Sequence, residues 1–362
     1  MKNTKELLII GAGSTGLSSA LFLSEAGFRP RIIEKRKEPP AITKALGINP
    51  RTLKLLESTG VTKRFLENGR KVSCFNFWCK NRLIYKNDFS KIRHPYPFML
   101  VQPQFETEAI LEEALAERKI FTQRNITLEN IIAEKDKTKI SFREADGKLN
   151  QFDFNGIVIG ADGNKSRVRE CLGIDFKGWE HHEEFIMYDV ELKTPVSAED
   201  GHYHFFKEGG MLMLHIRDGV WRVGGNLKDV FNYLPKGTQT GKISWETKFT
   251  IREMIAAKFN VDNVYLLGDA AHIHSPAGAR GMNLCIEDAY LFSELVKQNR
   301  GHEFYKIRYP AIKRTVGILG QLTDKIGGRN FIGNTIRNNF DKLSFLFPII
   351  MPRVRKFLLG LD

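Results

Sequence analysis

Six residues near the start restrict this chain more than any others. Gly11-Ala12-Gly13-Ser14-Thr15-Gly16 follows the apolar run Leu7-Leu8-Ile9-Ile10 and precedes a helical apolar pattern, Leu17 to Ala26, that stops at Gly27. A short run without polar residues fits a parallel strand covered on both faces. In such a strand–turn–helix unit the glycines have separate duties. Gly11 permits the tight turn, Gly13 lets the backbone approach a diphosphate, and Gly16 lets the helix pack on the strand. The diphosphate would rest on the helix N-terminus, where unpaired N–H groups and the helix dipole favour an anion. A second strand, Arg31-Ile32-Ile33, ends at Glu34, followed by Lys35. The Glu34 carboxylate is placed to accept hydrogen bonds from ribose hydroxyls. A glycine turn alone can belong to any βα unit. With strand, helix and acid in place it predicts an ADP-bearing cofactor, either NAD or FAD.

A second segment separates those two. Val264-Tyr265-Leu266-Leu267-Gly268-Asp269-Ala270-Ala271-His272 puts an acid at the end of another apolar strand. It continues as Ser275-Pro276-Ala277-Gly278-Ala279-Arg280-Gly281-Met282-Asn283 into a helix expected over about 283–297. An extended cofactor crosses the C-terminal edge of a parallel sheet, so acids at several strand ends can grip it. Asp269 suits a polyol such as ribityl. The second helix start suits the pyrimidine end of an isoalloxazine, where negative charge gathers on reduction.

The Gly-Asp block and its Pro-x-Gly-x-x-Gly-Met-Asn tail resemble the class A FAD-dependent aromatic hydroxylases, which have the p-hydroxybenzoate hydroxylase fold. Gly160-Ala161-Asp162-Gly163-Asn164-Lys165-Ser166-Arg167-Val168-Arg169 is similar to that family's Asp-Gly motif, tied to both FAD and reduced nicotinamide. Lys44 to Ile48 with Pro50 to Leu53 resembles the segment after the second strand, and Gln102 preceding Glu106 resembles a flavin-contacting glutamine. Trp245, Phe249 and Ile251 resemble the strand leading into the Gly-Asp block, and Tyr305 and Arg308 the start of the final helices. The likeness runs in order along nearly the whole chain. It implies an FAD-dependent monooxygenase that hydroxylates an aromatic or conjugated ring with NADPH or NADH and O2, through a flavin C4a-hydroperoxide. No second G-x-G-x-x-G is present, so the nicotinamide is expected to bind transiently. The cofactor carries the hard chemistry, and no catalytic side chain is assigned. Two departures stand out. Lys44 replaces the family's arginine, keeping the charge without the bidentate fork. Ala279 and Arg280 replace a Gly-Gln pair, adding a methyl and a cation beside the expected flavin. Two other readings stay open: a same-fold reductase or epoxidase acting on a lipophilic substrate, and a flavin-binding protein without hydroxylase turnover.

The expected fold class is α/β: a Rossmann-like FAD-binding domain interleaved with an antiparallel β-sheet substrate domain, plus C-terminal helices. The FAD-binding parts are placed at 1–71, 101–173 and 263–302, the substrate parts at 72–100 and 174–262, and the helices at 303–362. Within the substrate parts, His202, His204 and His215 are expected at half-buried sheet positions, and Arg222 faces either the pocket or the sheet surface. Lys and Arg number 55 against 42 Asp and Glu, a net charge of +13, which favours anionic partners. No nucleic-acid module is visible, and the aromatics follow strand alternation rather than an exposed stacking platform. A small-molecule substrate is the expected partner. The basic tail contains the apolar run Phe345 to Met351, too short to span a bilayer. It is read as packing on the FAD domain, with peripheral contact to an anionic membrane as the alternative. Cys74, Cys79, Cys171 and Cys285 lack disulfide or zinc spacing, and His272 with His274 lacks further ligands, so no metal is expected. With neither a signal peptide nor a spanning segment, the expected compartment is the cytoplasm.

Overall fold

The apolar runs become the centre of a six-stranded sheet. The computed structural model describes residues 6–40, 45–135, 137–276, 278–327, 339 and 342–361. The sheet contains β1 (Leu7–Ile10), β2 (Arg31–Glu34), β8 (Thr122–Arg124), β12 (Ile157–Gly160), β18 (Asn260–Val261) and β19 (Val264–Leu266), in the order β18-β19-β12-β1-β2-β8. All pairings are parallel except that of the short edge strand β18. Every residue of β1 is buried, as its composition requires. β8 has no counterpart in the expectations, because Thr-Gln-Arg at a sheet edge carries no apolar signal. Helix α1 (Ser14–Glu25) packs on both α4 (Gln104–Glu117) and α6 (Gly281–Lys297). A separate three-stranded meander, β9 (Thr127–Ala133), β10 (Thr138–Arg143) and β11 (Leu149–Phe154), lies between α4 and β12 in the chain.

The alternating segments form an eight-stranded roof. Its strands are β5 (Cys74–Cys79), β6 (Arg82–Asp88), β13 (Phe176–Lys193), β14 (Gly201–Phe205), β15 (Gly210–Arg217), β16 (Val220–Gly225), β17 (Gln239–Ala256) and β20 (His272–Ile273), in the order β20-β17-β13-β16-β15-β14-β5-β6. Only β14 with β5 is parallel. Two insertions far apart in sequence thus make one sheet. β20 belongs to the Gly-Asp segment yet pairs with β17, which stitches roof to cofactor sheet. Register fixes the two faces of the roof. Leu214 lies opposite Arg222, Arg222 opposite Asp189, and Asp189 opposite Trp245. Directly opposed residues of an antiparallel pair share a face, so these four look the same way.

A small sheet of β3 (Gly47–Ile48), β7 (Met99–Val101) and β4 (Arg70–Val72) bridges the two regions, in the order β3-β7-β4. After β3 the chain forms α2 (Pro50–Leu55) followed by a 3-10 turn, Leu56–Thr59. Asn49 caps α2 by accepting from Thr52 N at 2.8 Å, and Gly60 ends the turn with φ +80°. α3 (Val61–Asn68) follows. α5 (Arg167–Cys171) follows the Asp-Gly block, and α7 (Phe304–Gly327) and α8 (Phe347–Leu358) close the chain. Phe347 and Met351 of α8 are buried, with the Phe347 ring edge-on to Tyr85 of β6 at 5.5 Å. Phe345, Ile349 and Ile350 are exposed. Phe347 of the tail's apolar run therefore packs on the roof. Among the described residues no helix is long and apolar enough to cross a membrane.

Candidate functional site

The three glycines of the first turn are surrounded as differently as their expected duties. A Cβ on Gly11 (φ +105°) would meet Ala161 O at 2.4 Å, and one on Gly16 would meet Gly11 O at 1.9 Å. Both positions exclude any side chain. A Cβ on Gly13 would meet nothing nearer than 3.8 Å, so this backbone is bare. Ser14 is not free: its N and Oγ both donate to Glu108 Oε1, at 3.0 and 2.9 Å. The amides of Thr15 and Gly16, which have no carbonyl within the helix to reach, remain for an anion. Ala12 N donates to Glu34 Oε2 at 2.8 Å.

The Gly-Asp turn abuts this one. Gly268 has φ +60°, and a Cβ there would sit 2.3 Å from Thr15 Oγ1. Asp269 is exposed beyond the end of buried β19, with its Oδ1 3.5 Å from Cys285 Sγ. The turn is held from behind by Asp288 of α6, which is fully buried. Asp288 Oδ2 accepts from Gly268 N at 2.9 Å and lies 2.7 Å from His272 Nε2. Its Oδ1 accepts from Arg308 Nε at 2.5 Å. Burial alone would push the Asp288 pKa up, but Arg308 and then His272 outweigh it and hold it at about 2. From the other side Arg169 donates to Ala270 O at 2.9 Å and lies 3.8 Å over the Phe176 ring. The Asp-Gly block thereby braces the Gly-Asp turn.

The third wall is the start of α6. Its N-cap, Arg280, makes no capping bond, and a Cβ on Gly281 would meet nothing nearer than 4.0 Å. Met282 is buried and Pro276 exposed. Asn283 Nδ2 donates to Gly47 O and Ala279 O, and its Oδ1 accepts from Asn49 N, which ties β3 to this turn. Ala279 has φ +53°, and its methyl lies against Gly47. Gly278 lies under Leu358 of α8. The Arg280 guanidinium departs from expectation. It is buried, donates to Phe357 O and sits 3.6 Å from Glu287, so α8 engages the cation expected beside the flavin.

Other expected residues are also used differently. Glu34 is buried, and besides Ala12 it accepts from Arg36 N and Nε at 2.9 Å each and from Nη2 at 3.2 Å. Burial raises its pKa, but the Arg36 and Ala12 bonds prevail and leave it below the ordinary value. A ribose would therefore have to share this carboxylate with Arg36. The Asp162 carboxylate accepts from Ser166 Oγ at 2.5 Å and Val168 N at 3.1 Å. It serves the turn into α5, and burial raises its pKa. Lys35 is exposed, and Lys44 lies outside the described residues. Gln102 is fully buried, with neither its amide nitrogen nor its oxygen bonded. The bare Gly13, the uncapped α6 start and this unpartnered amide all fit a bound FAD. Glu108, Asp288 and Arg169 act across 94, 20 and 101 residues, which no local pattern marks, and Arg36 acts on its near neighbour Glu34.

On the roof, Arg222 is buried and grips Asp189 through Nε and Nη2, both at 2.7 Å, with its guanidinium 4.6 Å over Trp245. It shares its face with Leu214, which packs against Leu46 and Met99 from the cofactor side. His202 and His204 are buried on the opposite face, not half-buried. Among the described residues no group of three His, Cys, Asp or Glu could hold a metal ion.

A family model described as an FAD binding domain matches residues 4–220 and 232–303. The chain is 30% identical over 317 residues to 6-methylpretetramide 4-monooxygenase of Streptomyces rimosus, covering 82% of this chain and 56% of that one. It is 30% identical over 307 residues to pentachlorophenol 4-monooxygenase of Sphingobium chlorophenolicum, covering 78% and 56%. The chain thus spans little more than half the length of these relatives. The crystal structure of p-nitrophenol 4-monooxygenase from Pseudomonas putida DLL-E4 superposes over 100% of both chains with TM-score 0.85 and 20% identity.

Proposed function

This chain belongs to the FAD binding domain family, and from that premise we propose that it is an FAD-dependent monooxygenase hydroxylating an aromatic or conjugated ring with NAD(P)H and O2. The reading is supported above all by two bare backbone positions, Gly13 and Gly281, together with the exposed Asp269, Gly13 and Asp269 following the parallel strands β1 and β19. Two relatives with names of that activity act on ring compounds. When bound, FAD supplies the electron-transfer and oxygen chemistry. The chain's own residues bind and orient. The Thr15 and Gly16 amides receive the diphosphate. Glu34 and Asp269 accept hydroxyl hydrogens, and the α6 start favours negative charge at the ring's edge. Asp288 holds the Gly268 amide and so fixes where Asp269 points. Tyr203, Leu212 and Leu214 of the roof, with Leu46 and Met99 facing them, exclude water from the seam.

The cofactor parts are proposed as 1–71, 101–173 and 263–302, with the roof at 72–100 and 174–262, in a cytoplasmic enzyme. The test is a screen of phenols and polycyclic rings for stimulated NADPH oxidation, with 18O2 incorporation into product. Stimulated oxidation without labelled product in any of them would refute hydroxylation and favour a reductase. Bound FAD without any stimulated oxidation would favour a binding protein.

A further inference from the structure

We propose that a basic pocket beside α8 binds the phosphorylated adenosine end of the reduced dinucleotide and thereby favours NADPH over NADH; this rests on the monooxygenase reading. The pocket lies between the turn after β6 and α8 and encloses about 460 Å³, a volume within the range of small-ligand sites. Its described lining joins Lys91, Arg93, His94, Arg355 and Lys356 to the apolar Ile92, Pro352 and Leu361, with no acid among them.

Arg355 donates to Asn87 Oδ1 at 2.8 Å and to Tyr85 OH at 3.5 Å, but the remaining Lys and Arg of the pocket are unspent. Elsewhere on the surface Arg64 pairs with Glu117, Arg118 with Glu25 and Arg124 with Glu112. Among the described residues Lys91, Arg93 and Lys356 form no ion pair. The acids whose fields reach the pocket are engaged locally: Asp88 accepts from Ser90 N and Oγ, and Glu57 from Lys54 and Tyr96. Converging cations suit phosphate oxygens, and the apolar wall suits an adenine ring. The volume exceeds what a lone phosphate needs.

Position completes the argument. Lys356 precedes Phe357, whose carbonyl accepts from Arg280, and Leu358 covers Gly278. A single turn of α8 therefore touches both the pocket and the turn at the proposed flavin edge. A dinucleotide anchored by its phosphates in the pocket lies against the same helix that covers that turn. The chain has no second G-x-G-x-x-G to serve as another anchor.

The test titrates the FAD-loaded protein calorimetrically with 2′,5′-ADP, 5′-AMP and inorganic pyrophosphate. We expect 2′,5′-ADP to bind about tenfold tighter than either of the others. The triple variant Lys91→Glu, Arg93→Glu, Lys356→Glu should weaken 2′,5′-ADP by about tenfold or more. Its KM for NADPH should rise while kcat and FAD content stay unchanged. Should the triple variant not fold, Lys91→Met with Arg93→Met gives the same comparison without reversed charge. An unchanged 2′,5′-ADP affinity in a folded variant, or pyrophosphate binding as tightly as 2′,5′-ADP, overturns the proposal. A flavin that NADPH cannot reduce, in protein that binds 2′,5′-ADP through these cations, supports the pocket and breaks the monooxygenase reading instead.

Discussion

The cofactor sheet and the outer face of the roof bury polar side chains by opposite means. Behind the Gly-Asp turn, buried charge is answered by charge: Asp288 receives Gly268 N, His272 and Arg308. Across the roof's outer face the answer is aromatic packing. His204 is buried with neither ring nitrogen bonded, stacked between Trp78 at 5.7 Å and Phe206 at 6.3 Å, each within 7° of parallel. His202 beside it is fully used, accepting from Trp78 Nε1 at Nδ1 and lying 2.8 Å from Ser197 O at Nε2. An oriented cradle for a charged cofactor needs fixed donors and acceptors. A roof that only excludes water can tolerate one unsatisfied imidazole.

The largest effect should come from breaking the ionic side. Asp288→Ala strands the Arg308 guanidinium and should destabilise by about 3–5 kcal/mol. FAD should be lost with it, read by thermal melts and by the flavin absorbance of purified protein. Asp189→Ala, which breaks the roof's Arg222 pair, should also destabilise but leave the FAD content intact. If both variants lose FAD equally, the two regions are not separable in this way.

Acidification should divide them next. Burial and then the nearby His202 lower the His204 pKa from 6.5 to about 4. The folded state therefore binds that proton less readily than the unfolded one. Its stability is present above pH 6.5 and is lost as pH falls towards 4, by on the order of 3 kcal/mol. Asp288, held at about 2 against an ordinary 3.8, loses its contribution only between those values. Hydrogen exchange should show β14 loosening before β1 and β12. His274, which burial also lowers to about 4, should carry β20 with the roof. Simultaneous loss in all strands would refute the division.

A smaller gain should follow His204→Phe, which removes the unpaired nitrogens while keeping the stack. Chemical denaturation should report about 1 kcal/mol of added stability, and a loss would mean that the imidazole has a partner. Smallest is Ala279→Gly. Releasing a non-glycine residue from φ +53° should stabilise by about 1 kcal/mol or less, and FAD affinity should not fall.

Legibility in the sequence followed the range of the interaction. The turn at Gly11 to Gly16 and the left-handed Gly268 announce themselves because backbone sterics act over a few residues. The parallel strands did so through their apolar runs. Arg280 was misplaced for the converse reason: its neighbours suggest a flavin edge, whereas the oxygen that takes it, Phe357 O, comes from a helix 77 residues later. Glu108 reaches Ser14 across 94 residues, and Arg36 meets Glu34 two residues away with nothing in either identity to show it. Asp162 is taken up locally, by Ser166 Oγ and Val168 N at the start of α5. His204 looked half-buried because strand alternation shows which face it shares, not what covers that face.

The strand order carries a consequence for how the chain is made. β1 pairs with β2 at once, but β12 and β19 arrive from much later in the chain, and the turn at Gly13 has no Gly268 beside it until that residue exists. At ribosomal rates the wait is on the order of tens of seconds. Through that interval Leu7 to Ile10 have only a partial cover. FAD cannot template the first domain as it emerges, because the groove has one wall. Cofactor binding therefore has to wait for the Gly268 segment to emerge and complete the groove.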